Sequence, residues 1–189
     1  GCPQSTDNVV VNVSTNADAG LDKNICNATS ITLKGNQGSS GIWSQISGPA
    51  STILQTPIGN PNANITGLVS GKYIFRYTIP AISGCPSTFD DVLVNNGALA
   101  SVPNAGVDDV YCNVTAFNLN GNIPASGETG FWSVLSSQTD SKFLPDASKS
   151  NTILSNVTTG TYLLKWTISN GLCSSSDVKR IENYAIPTI

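Results

Sequence analysis

An internal repeat constrains the architecture of this chain more than any local pattern, because a fixed period is the sequence signature of tandem domains. Residues 33–36 return as residues 119–122, a shift of 86 positions that keeps Leu, Gly and Asn in place. After an insertion of three residues, residues 71–79 return as residues 160–168 at a shift of 89. A length of 189 residues fits two domains of about 90 residues, each able to bury a modest core. The repeat therefore predicts two similar domains.

The first residues of the chain repeat the segment that closes repeat one. Residues 1–11 run parallel to residues 84–94, and both segments begin with Gly-Cys-Pro. We therefore expect residues 1–13 to be the closing strand of a preceding repeat, residues 14–97 to be repeat one and residues 98–189 to be repeat two. On this interpretation the native chain is a longer array.

Hydrophobic periodicity predicts strands throughout the chain. The clearest run places Tyr73, Phe75 and Tyr77 on one face and Lys72 and Arg76 on the other, which is the two-residue period of a half-buried strand. Short β-rich runs separated by Gly, Pro, Asn and Ser continue through both repeats. About seven such strands in some 85 residues, with a Trp, a late Gly-x-Tyr and a Cys pair, are typical of an immunoglobulin-like β-sandwich. We predict an all-β chain of tandem immunoglobulin-like β-sandwiches.

The composition is neutral and polar. Charged residues make up 11% of the chain, against about 25% in most soluble domains, and 62 residues are Asn, Ser or Thr. With nine scattered basic residues and a net charge of -3, no basic surface is expected for nucleic acid or anionic lipid. No apolar run approaches the roughly 20 residues of a membrane-spanning helix. We therefore predict no nucleic-acid partner and no membrane insertion.

The sequence offers no constellation of catalytic residues. It contains no His, and therefore no imidazole base, and it has neither a G-x-S-x-G elbow nor a phosphate-binding glycine loop. Glu128, Asp140 and Asp146 cluster loosely, as paired carboxylates of a glycoside hydrolase would, but repeat one has no counterparts for them. We predict that the chain is not an enzyme.

The five cysteines are assigned by their positions in the repeats. No C-x-x-C spacing exists and no His is available for a zinc site, so structural disulfides are the favoured interpretation. The repeats predict that Cys26 bonds to Cys85 and that Cys112 bonds to Cys173. Each bond would close a loop of about 60 residues and contribute on the order of 4 kcal/mol. Cys2 is then left unpaired in this fragment, its partner lying in the preceding repeat.

Aromatic residues at matching positions of the two repeats predict core packing. The expected core residues are Trp43, Tyr73, Trp132, Tyr162 and Trp166. The late Gly-x-Tyr of each repeat suits a tyrosine corner. A sugar-stacking platform is the alternative, which repetition at equivalent sites disfavours.

Four aspartates are candidate calcium ligands, because Ca²⁺ prefers carboxylate oxygens and can bind near domain junctions. They are Asp22 and Asp108, near the start of each repeat, and Asp91 and Asp177, matched to one another before the last strand. The favoured alternative is that these side chains bind backbone amides at turns and strand starts. We therefore expect no cofactor or metal, with calcium as the weaker hypothesis.

Five asparagines stand in Asn-x-Ser/Thr sequons, the acceptor sequence for N-glycosylation. They are Asn12, Asn27, Asn64, Asn113 and Asn156. In a chain so rich in these residue types, several sequons are expected by chance.

The repeat frame resembles a known family. Its motifs are Ala19-Gly20-x-Asp22-x-x-Ile25-Cys26, Gly41-x-Trp43, Gly71-x-Tyr73-x-Phe75-x-Tyr77-Thr78 and Cys85, with the same frame in repeat two. This frame resembles the PKD-like/Ig-like repeats of giant Bacteroidetes surface proteins, including the gliding-motility adhesins of the SprB type. The resemblance implies PKD-like β-sandwiches, export through the type IX system, a bacterial cell-surface or secreted location and a role as one link in a long fibre.

Two functions from different classes follow. The leading hypothesis is a non-catalytic structural and adhesive module, a stalk or adhesin segment of an extracellular filament. Its partners would be adjacent repeats of the same chain, with surface polysaccharide or another cell-surface ligand as the outer partner. The alternative is a carbohydrate-binding accessory module of a secreted polysaccharide-degrading enzyme.

Overall fold

The chain forms two compact units in a computed structural model, Gly1–Gly97 and Ala98–Ile189. The structure describes residues 3–4, 6–9, 13, 15–36, 41–56, 60–82, 84–136 and 140–187. All regular elements in these residues are strands, as predicted. Cys2, and with it part of the predicted closing strand 1–13, lies outside the described residues.

In the described residues, each unit has seven strands in two sheets. Unit one has β1 (Lys23–Cys26), β2 (Ser30–Lys34), β3 (Ile42–Ser47), β4 (Ile53–Gln55), β5 (Asn62–Thr66), β6 (Gly71–Ile79) and β7 (Thr88–Gly97). Unit two has β8 (Asp109–Cys112), β9 (Ala116–Asn120), β10 (Thr129–Val134), β11 (Lys142–Leu144), β12 (Asn151–Ser155), β13 (Gly160–Ser169) and β14 (Ser174–Tyr184).

The strand order is the same in both units. The larger sheet has the order β1-β7-β6-β3 in unit one and β8-β14-β13-β10 in unit two. The smaller sheet has the order β2-β5-β4 and, correspondingly, β9-β12-β11. Among the described strands, β1 pairs with β7 and β8 with β14 in parallel, and the other pairs are antiparallel. Two packed sheets of this order make each unit an immunoglobulin-like β-sandwich.

The core of each unit is built from residues that alternate along the long strands. In β6, Tyr73, Phe75 and Tyr77 are fully buried, and in β13 Tyr162 and Trp166 are fully buried. The intervening side chains face outward, as expected for a strand with one buried face. Each unit has its own cluster of buried apolar residues, so each has its own hydrophobic core.

Two glycines in each unit make room for one buried aromatic ring of the core. In unit one, a Cβ atom on Gly41 would lie 2.1 Å from Cζ of Tyr77, and one on Gly35 would lie 2.5 Å from it. In unit two, a Cβ atom on Gly130 would lie 2.2 Å from Cη2 of Trp166. Such distances are impossible without movement, because protein interiors are close-packed. The repeated Gly motifs are therefore packing requirements of the fold.

The register of the last strand differs from the predicted match by one residue. Tyr73 lies opposite Val94 in β7, and its counterpart Tyr162 lies opposite Ile181 in β14. Val94 therefore corresponds to Ile181, a shift of 87 rather than 86. A slip of one residue moves every side chain of a strand to the other face of the sheet.

This register changes which residues correspond at the sheet surface. Asp177 is the counterpart of Asp90, so its predicted match with Asp91 is wrong. Val178 is 45% exposed, and the inward position that Val92 occupies in unit one is taken by Lys179 in unit two. The identity of the two Asp-Val pairs suggested the wrong match, because Val92 faces the core whereas Val178 faces the solvent.

In the part of the chain that the structure describes, no helix has the length and apolar character needed to cross a membrane.

Candidate functional site

The disulfide state of the cysteines differs from the predicted pairing. Cys26 and Cys173 are each disulfide-bonded, whereas Cys112 is exposed and carries a free thiol. The predicted bond between Cys112 and Cys173 is therefore wrong. Cys85 is half-buried and lies before β7, whereas Cys26 pairs with the last residue of β7, so the predicted bond between Cys26 and Cys85 is wrong as well.

The physical reason is the length of the last strand. Cys26 is paired with Gly97, the final residue of β7, whereas Cys85 lies in the hairpin before β7 begins. The ten residues of β7 span about 30 Å, far beyond the roughly 4–7 Å between the Cα atoms of a disulfide. Cys112 and Cys173 are separated in the same way by β14, which has eleven residues.

The predicted core aromatics are all buried. The exposed fraction is 5% for Trp43 and zero for Tyr73, Trp132, Tyr162 and Trp166. The indole of Trp43 donates a hydrogen bond to the carbonyl oxygen of Pro61 at 2.7 Å. These rings are therefore unavailable as a sugar-stacking platform, which requires exposed faces.

A tyrosine hydroxyl fixes the turn before the longest pair of strands in each unit. The hydroxyl of Tyr73 accepts a hydrogen bond from the amide of Val69 at 2.8 Å. The hydroxyl of Tyr162 accepts the same bond from the amide of Thr158, also at 2.8 Å. Each bond reaches four residues back along the chain, which is the geometry of a tyrosine corner.

A buried asparagine in each unit was missed by the sequence reasoning. Asn96 is 1% exposed, and its amide donates to the carbonyl oxygens of Ala28 at 2.8 Å and Val69 at 3.0 Å. Its side-chain oxygen accepts from the amide of Ala28 at 3.0 Å. This side chain thus ties the segment after β1 and the turn before β6 to β7.

Asn183 of unit two makes the equivalent three bonds. It is 2% exposed and contacts the backbone of Val114 twice and the carbonyl oxygen of Thr158 once. Buried amides need such partners, because an unsatisfied buried polar group is costly. The sequence does hold a sign of this pair, because Asn96 and Asn183 are 87 residues apart and each stands at the third inward position of the last strand of its unit.

Three of the candidate calcium ligands anchor the segment that precedes the first strand of a unit. The carboxylate of Asp22 accepts from the amide of Leu93 at 2.9 Å, and that of Asp108 accepts from the amide of Arg180 at 2.8 Å. Asp177 accepts from the amide of Ala105 at 2.8 Å. These bonds fit the backbone-anchoring interpretation of the aspartates.

The fourth candidate, Asp91, faces an arginine. Arg76 donates two hydrogen bonds to its two carboxylate oxygens, at 2.7 and 2.8 Å. The hydrogen bonds from Arg76 hold the pKa of Asp91 below its usual range. The guanidinium carbon of Arg76 also lies 3.8 Å from the ring centre of Phe89, a cation–π contact. Among the described residues, no three Cys, Asp or Glu side chains converge on a position that could hold a metal ion.

Two members of the loose acidic cluster, Glu128 and Asp146, lack the electrostatics of a glycosidase acid. Glu128 accepts hydrogen bonds from the hydroxyl and amide of Ser101, which lower its pKa. Asp146 accepts from the hydroxyl and amide of Ser148, which lower its pKa as well. A glycosidase acid instead needs a raised pKa to hold a proton near neutral pH. Both carboxylates serve as loop anchors.

Three sequon asparagines occupy left-handed backbone positions. Asn27, Asn113 and Asn156 have φ values of 46°, 53° and 58°. Asn tolerates this conformation better than other residues that carry a Cβ atom. Asn156 corresponds to Gly67, whose φ is 82°, so the same turn uses Gly in unit one and Asn in unit two.

A described cleft of about 420 Å³ lies on the smaller sheet of unit two. It is lined by Asn118, Leu119, Asn120, Leu144, Pro145, Asn151, Thr152 and Ile153. None of these side chains is an acid, a base or a thiol, so the cleft offers amide and hydroxyl groups for binding and no nucleophile activated for catalysis.

No protein-family model matches the chain, and no curated protein matches it. Among solved structures, it is similar to Drosophila OTK, extracellular domains 3–5, with 15% identity and a TM-score of 0.51, over 86% of this chain and 59% of that one. The PKD domain from the KIAA 1837 protein is 28% identical, with a TM-score of 0.40, over 51% of this chain and 99% of that domain. The fibronectin(III)-like modules of Clostridium thermocellum CbhA are 11% identical, with a TM-score of 0.49, over 89% and 94%.

The likeness to the Drosophila structure concerns the fold alone, and this chain spans 59% of that fragment's length. Together with the two seven-strand units and their sheet order, it makes the chain a tandem pair of immunoglobulin-like β-sandwiches, which confirms the predicted fold class.

Proposed function

We propose that the chain is a non-catalytic structural and adhesive segment of a long extracellular fibre, built by repeating one β-sandwich along the chain. The observation that carries this proposal is that the same stabilising hydrogen bonds occur inside each of the two units. The tyrosine corner of Tyr73 returns at Tyr162, and the buried amide of Asn96 returns at Asn183. The duplicated side chains are those that hold the fold, which suits a module whose function lies in its repetition.

An extracellular location is supported by the chemistry of the cysteines. Cys26 and Cys173 are disulfide-bonded, and disulfides persist in oxidising compartments while cytosolic thiols are kept reduced. The neutral polar surface fits a fibre of many like units, because strongly charged neighbouring repeats would repel one another.

A finer proposal is that the fibre is a bacterial surface adhesin of the gliding-motility type, exported by the type IX system. Its support is the motif frame that runs from Ala19 to Cys85 and returns in repeat two. The proposed partners are adjacent repeats and, at the outer surface, polysaccharide or another cell-surface ligand.

Immunogold labelling of intact source cells with antibodies against this chain tests the proposal. We expect gold particles on unpermeabilised cells, at distances from the envelope that exceed the size of one unit. Labelling that requires permeabilisation, or that stays at the membrane surface, would contradict an extended fibre.

The alternative, a carbohydrate-binding accessory module, has a candidate position in the amide-lined cleft bordered by Asn118, Asn120 and Asn151. Affinity electrophoresis in gels containing plant, algal or bacterial polysaccharides separates the two functions. Retardation that is lost in Asn118→Ala would support the accessory module. Unchanged mobility in all gels, with surface labelling of cells, supports the fibre. Calcium binding by the aspartates stays a weaker hypothesis, and a melting temperature unchanged by chelator would refute it.

A further inference from the structure

Apolar side chains line one edge of the larger sheet of unit one, on the face that points away from the core. Ile42 of the edge strand β3 is 61% exposed and lies opposite Thr78 of β6. Ile46 is exposed at the bulge of the same strand, and the residue after it lies opposite Ile74 of β6. Ile74 faces outward because it alternates with buried residues along β6. We call these three isoleucines the edge patch of unit one.

Unit two has an apolar side chain at each of the same three positions, although every residue type differs. They are Phe131, Leu135 and Leu163, and all three are exposed. Phe131 of the edge strand β10 takes the place of Ile42 and is 56% exposed. Leu135 donates its amide to the carbonyl oxygen of Leu163 at 2.8 Å, so these two side chains are neighbours on the outer face. These three residues are the edge patch of unit two.

The fold does not explain why both units keep an edge patch. Single exposed apolar residues are normal on a protein surface, but these side chains recur at three matching positions and hold no part of the core. Other matching positions on the same face change their chemistry. Phe89 of β7 corresponds to Ser176 of β14, and Asp91 corresponds to Val178. Contact with a partner explains why the edge patch alone stays apolar.

The charges beside each edge patch favour a partner with the same surface. In unit one, Arg76 donates two hydrogen bonds to Asp91 on this face, and in unit two Arg180 pairs with Glu182. A face with adjacent positive and negative groups complements itself, because a twofold rotation brings the positive group of one copy against the negative group of the other. A partner with one strong sign of charge would be attracted by one member of each pair and repelled by the other.

We propose that the outer face of the larger sheet, in each unit, binds the same face of a second copy of this chain, with the edge patches in contact. One further lysine lies on each face, Lys72 in unit one and Lys165 in unit two. Its long aliphatic stem lets the ammonium group reach water beside an apolar contact. The partner is therefore another molecule of the same sequence.

The size of the face determines how strong this contact is. From a rise of about 3.3 Å per residue and a spacing of about 4.8 Å between strands, the face of one unit covers roughly 450–500 Å². A standard interface takes about 800 Å² from each partner, so contact through one face belongs to the weak and transient class. Association should therefore depend on the concentration of the chain.

Weak contacts of this kind gain strength when they are linked, because the first contact raises the effective concentration for the next. In an array of like units, the proposed face would join fibres side by side. This consequence rests on the proposed function, whereas the association of two copies of the 189-residue chain does not.

Sedimentation equilibrium of the 189-residue chain, with its exposed thiols alkylated, tests the association. From about 10 μM to about 1 mM, the range of weak binding, the weight-average mass is expected to rise above the 19.6 kDa of one chain. The double variant Ile42→Lys with Phe131→Lys places a charge in each edge patch and is expected to weaken association at least about tenfold.

The matched control adds the same two charges outside the larger sheets. It is Ile53→Lys with Val107→Lys, because Ile53 of β4 is 64% exposed and Val107 is exposed before β8 begins. The control is expected to associate like the parent, and equal urea unfolding transitions show that both double variants fold. A control that loses association as much as the edge-patch variant would contradict the proposal.

Two further variants test whether like faces meet. Arg76→Glu with Arg180→Glu makes the face acidic, and Asp91→Lys with Glu182→Lys makes it basic. Each protein alone is expected to associate less than the parent, because like charges then oppose one another. An equimolar mixture of the two is expected to regain association. A mixture that associates no better than its components shows that another surface is involved and refutes the proposal.

The outcomes separate this contact from the fibre. A parent chain that keeps the mass of one molecule up to the highest concentration overturns the proposed face, even if intact cells are labelled at a distance from the envelope. Association that the edge-patch variant abolishes, in a protein whose labelling requires permeabilised cells, refutes the fibre and leaves the contact between copies standing.

Discussion

The ammonium group of Lys179 lies 2.6 Å from the carboxylate of Asp109, and the side chain of Lys179 is 8% exposed. Unit one has Val92 at the equivalent inward position of its last strand. A buried ion pair is often no more stable than an apolar residue of similar shape, whereas removal of one partner leaves an uncompensated charge.

This comparison predicts different effects on stability for two substitutions at the ion pair. We expect Lys179→Val to leave the free energy of unfolding within about 1 kcal/mol of the parent or to raise it. Asp109→Asn should lower the free energy of unfolding by about 1–3 kcal/mol, because Lys179 then stays buried and charged without its carboxylate partner. The loss should be moderate because the carboxylate of Asp109 is itself partly exposed. Urea unfolding followed by the fluorescence of Trp132 and Trp166, in a Trp43→Phe background, measures both. A larger loss for Lys179→Val than for Asp109→Asn would contradict this account.

The buried asparagine of unit two predicts a large effect from a small truncation. Asn183→Ala removes three hydrogen bonds and leaves the backbone groups of Val114 and Thr158 without their partner. We expect a loss of about 3 kcal/mol in the free energy of unfolding. Asn118, an exposed asparagine of β9, is the matched control, and its replacement by Ala should change stability by less than about 0.5 kcal/mol. Equal effects at the two positions would mean that the buried network contributes little.

The left-handed turn predicts that Gly67 and Asn156 are interchangeable. Gly67→Asn and Asn156→Gly each keep a residue that accepts positive φ, so each should change the melting temperature by only a few degrees. Asn156→Ala should lower the free energy of unfolding by about 1–2 kcal/mol, because its Cβ is strained at φ 58° without the local hydrogen bonding open to Asn. Differential scanning calorimetry of the four proteins makes the comparison. If Asn156→Ala has the same melting temperature as the parent, backbone strain does not explain the Asn at this position.

The pair of Arg76 and Asp91 predicts a dependence of stability on pH. The hydrogen bonds from Arg76 lower the pKa of Asp91 in the folded state below its unfolded value, near 3.9. The resulting stabilisation is therefore fully present above about pH 4 and is lost as pH falls through the lower, folded pKa. The effect should be small, because the pair is about one-third exposed to solvent.

A carboxyl NMR titration of the folded chain measures this directly. The Asp91 signal should titrate at lower pH than an unpaired aspartate, and Arg76→Gln should return its pKa towards the ordinary value. Arg76→Gln should lower stability slightly above about pH 4, and its difference from the parent should shrink as pH falls through the folded pKa of Asp91. An Asp91 pKa that does not respond to Arg76→Gln would show that another group lowers it.

Much of the fold could be predicted from the sequence, because its causes are local. The period-two alternation of Tyr73, Phe75 and Tyr77 requires a strand with one buried face, and the repeated glycines and aromatics mark equivalent positions in two domains. Seven strands of this kind in about 90 residues leave a sandwich as the natural way to bury both sheets. The fold class and the identity of the core aromatics were therefore available from the sequence.

The tertiary structure alone decided which residues meet. Identity between two Asp-Val pairs suggested a shift of 86, but the pairing of Tyr162 with Ile181 shows a shift of 87 that places Lys179 inside. Repetition also suggested bonds within each repeat, but a strand of ten residues holds Cys26 and Cys85 at opposite ends of one sheet. Sequence periodicity encodes which face a side chain takes, whereas strand register and length decide its partner, and these depend on contacts between residues distant in the chain.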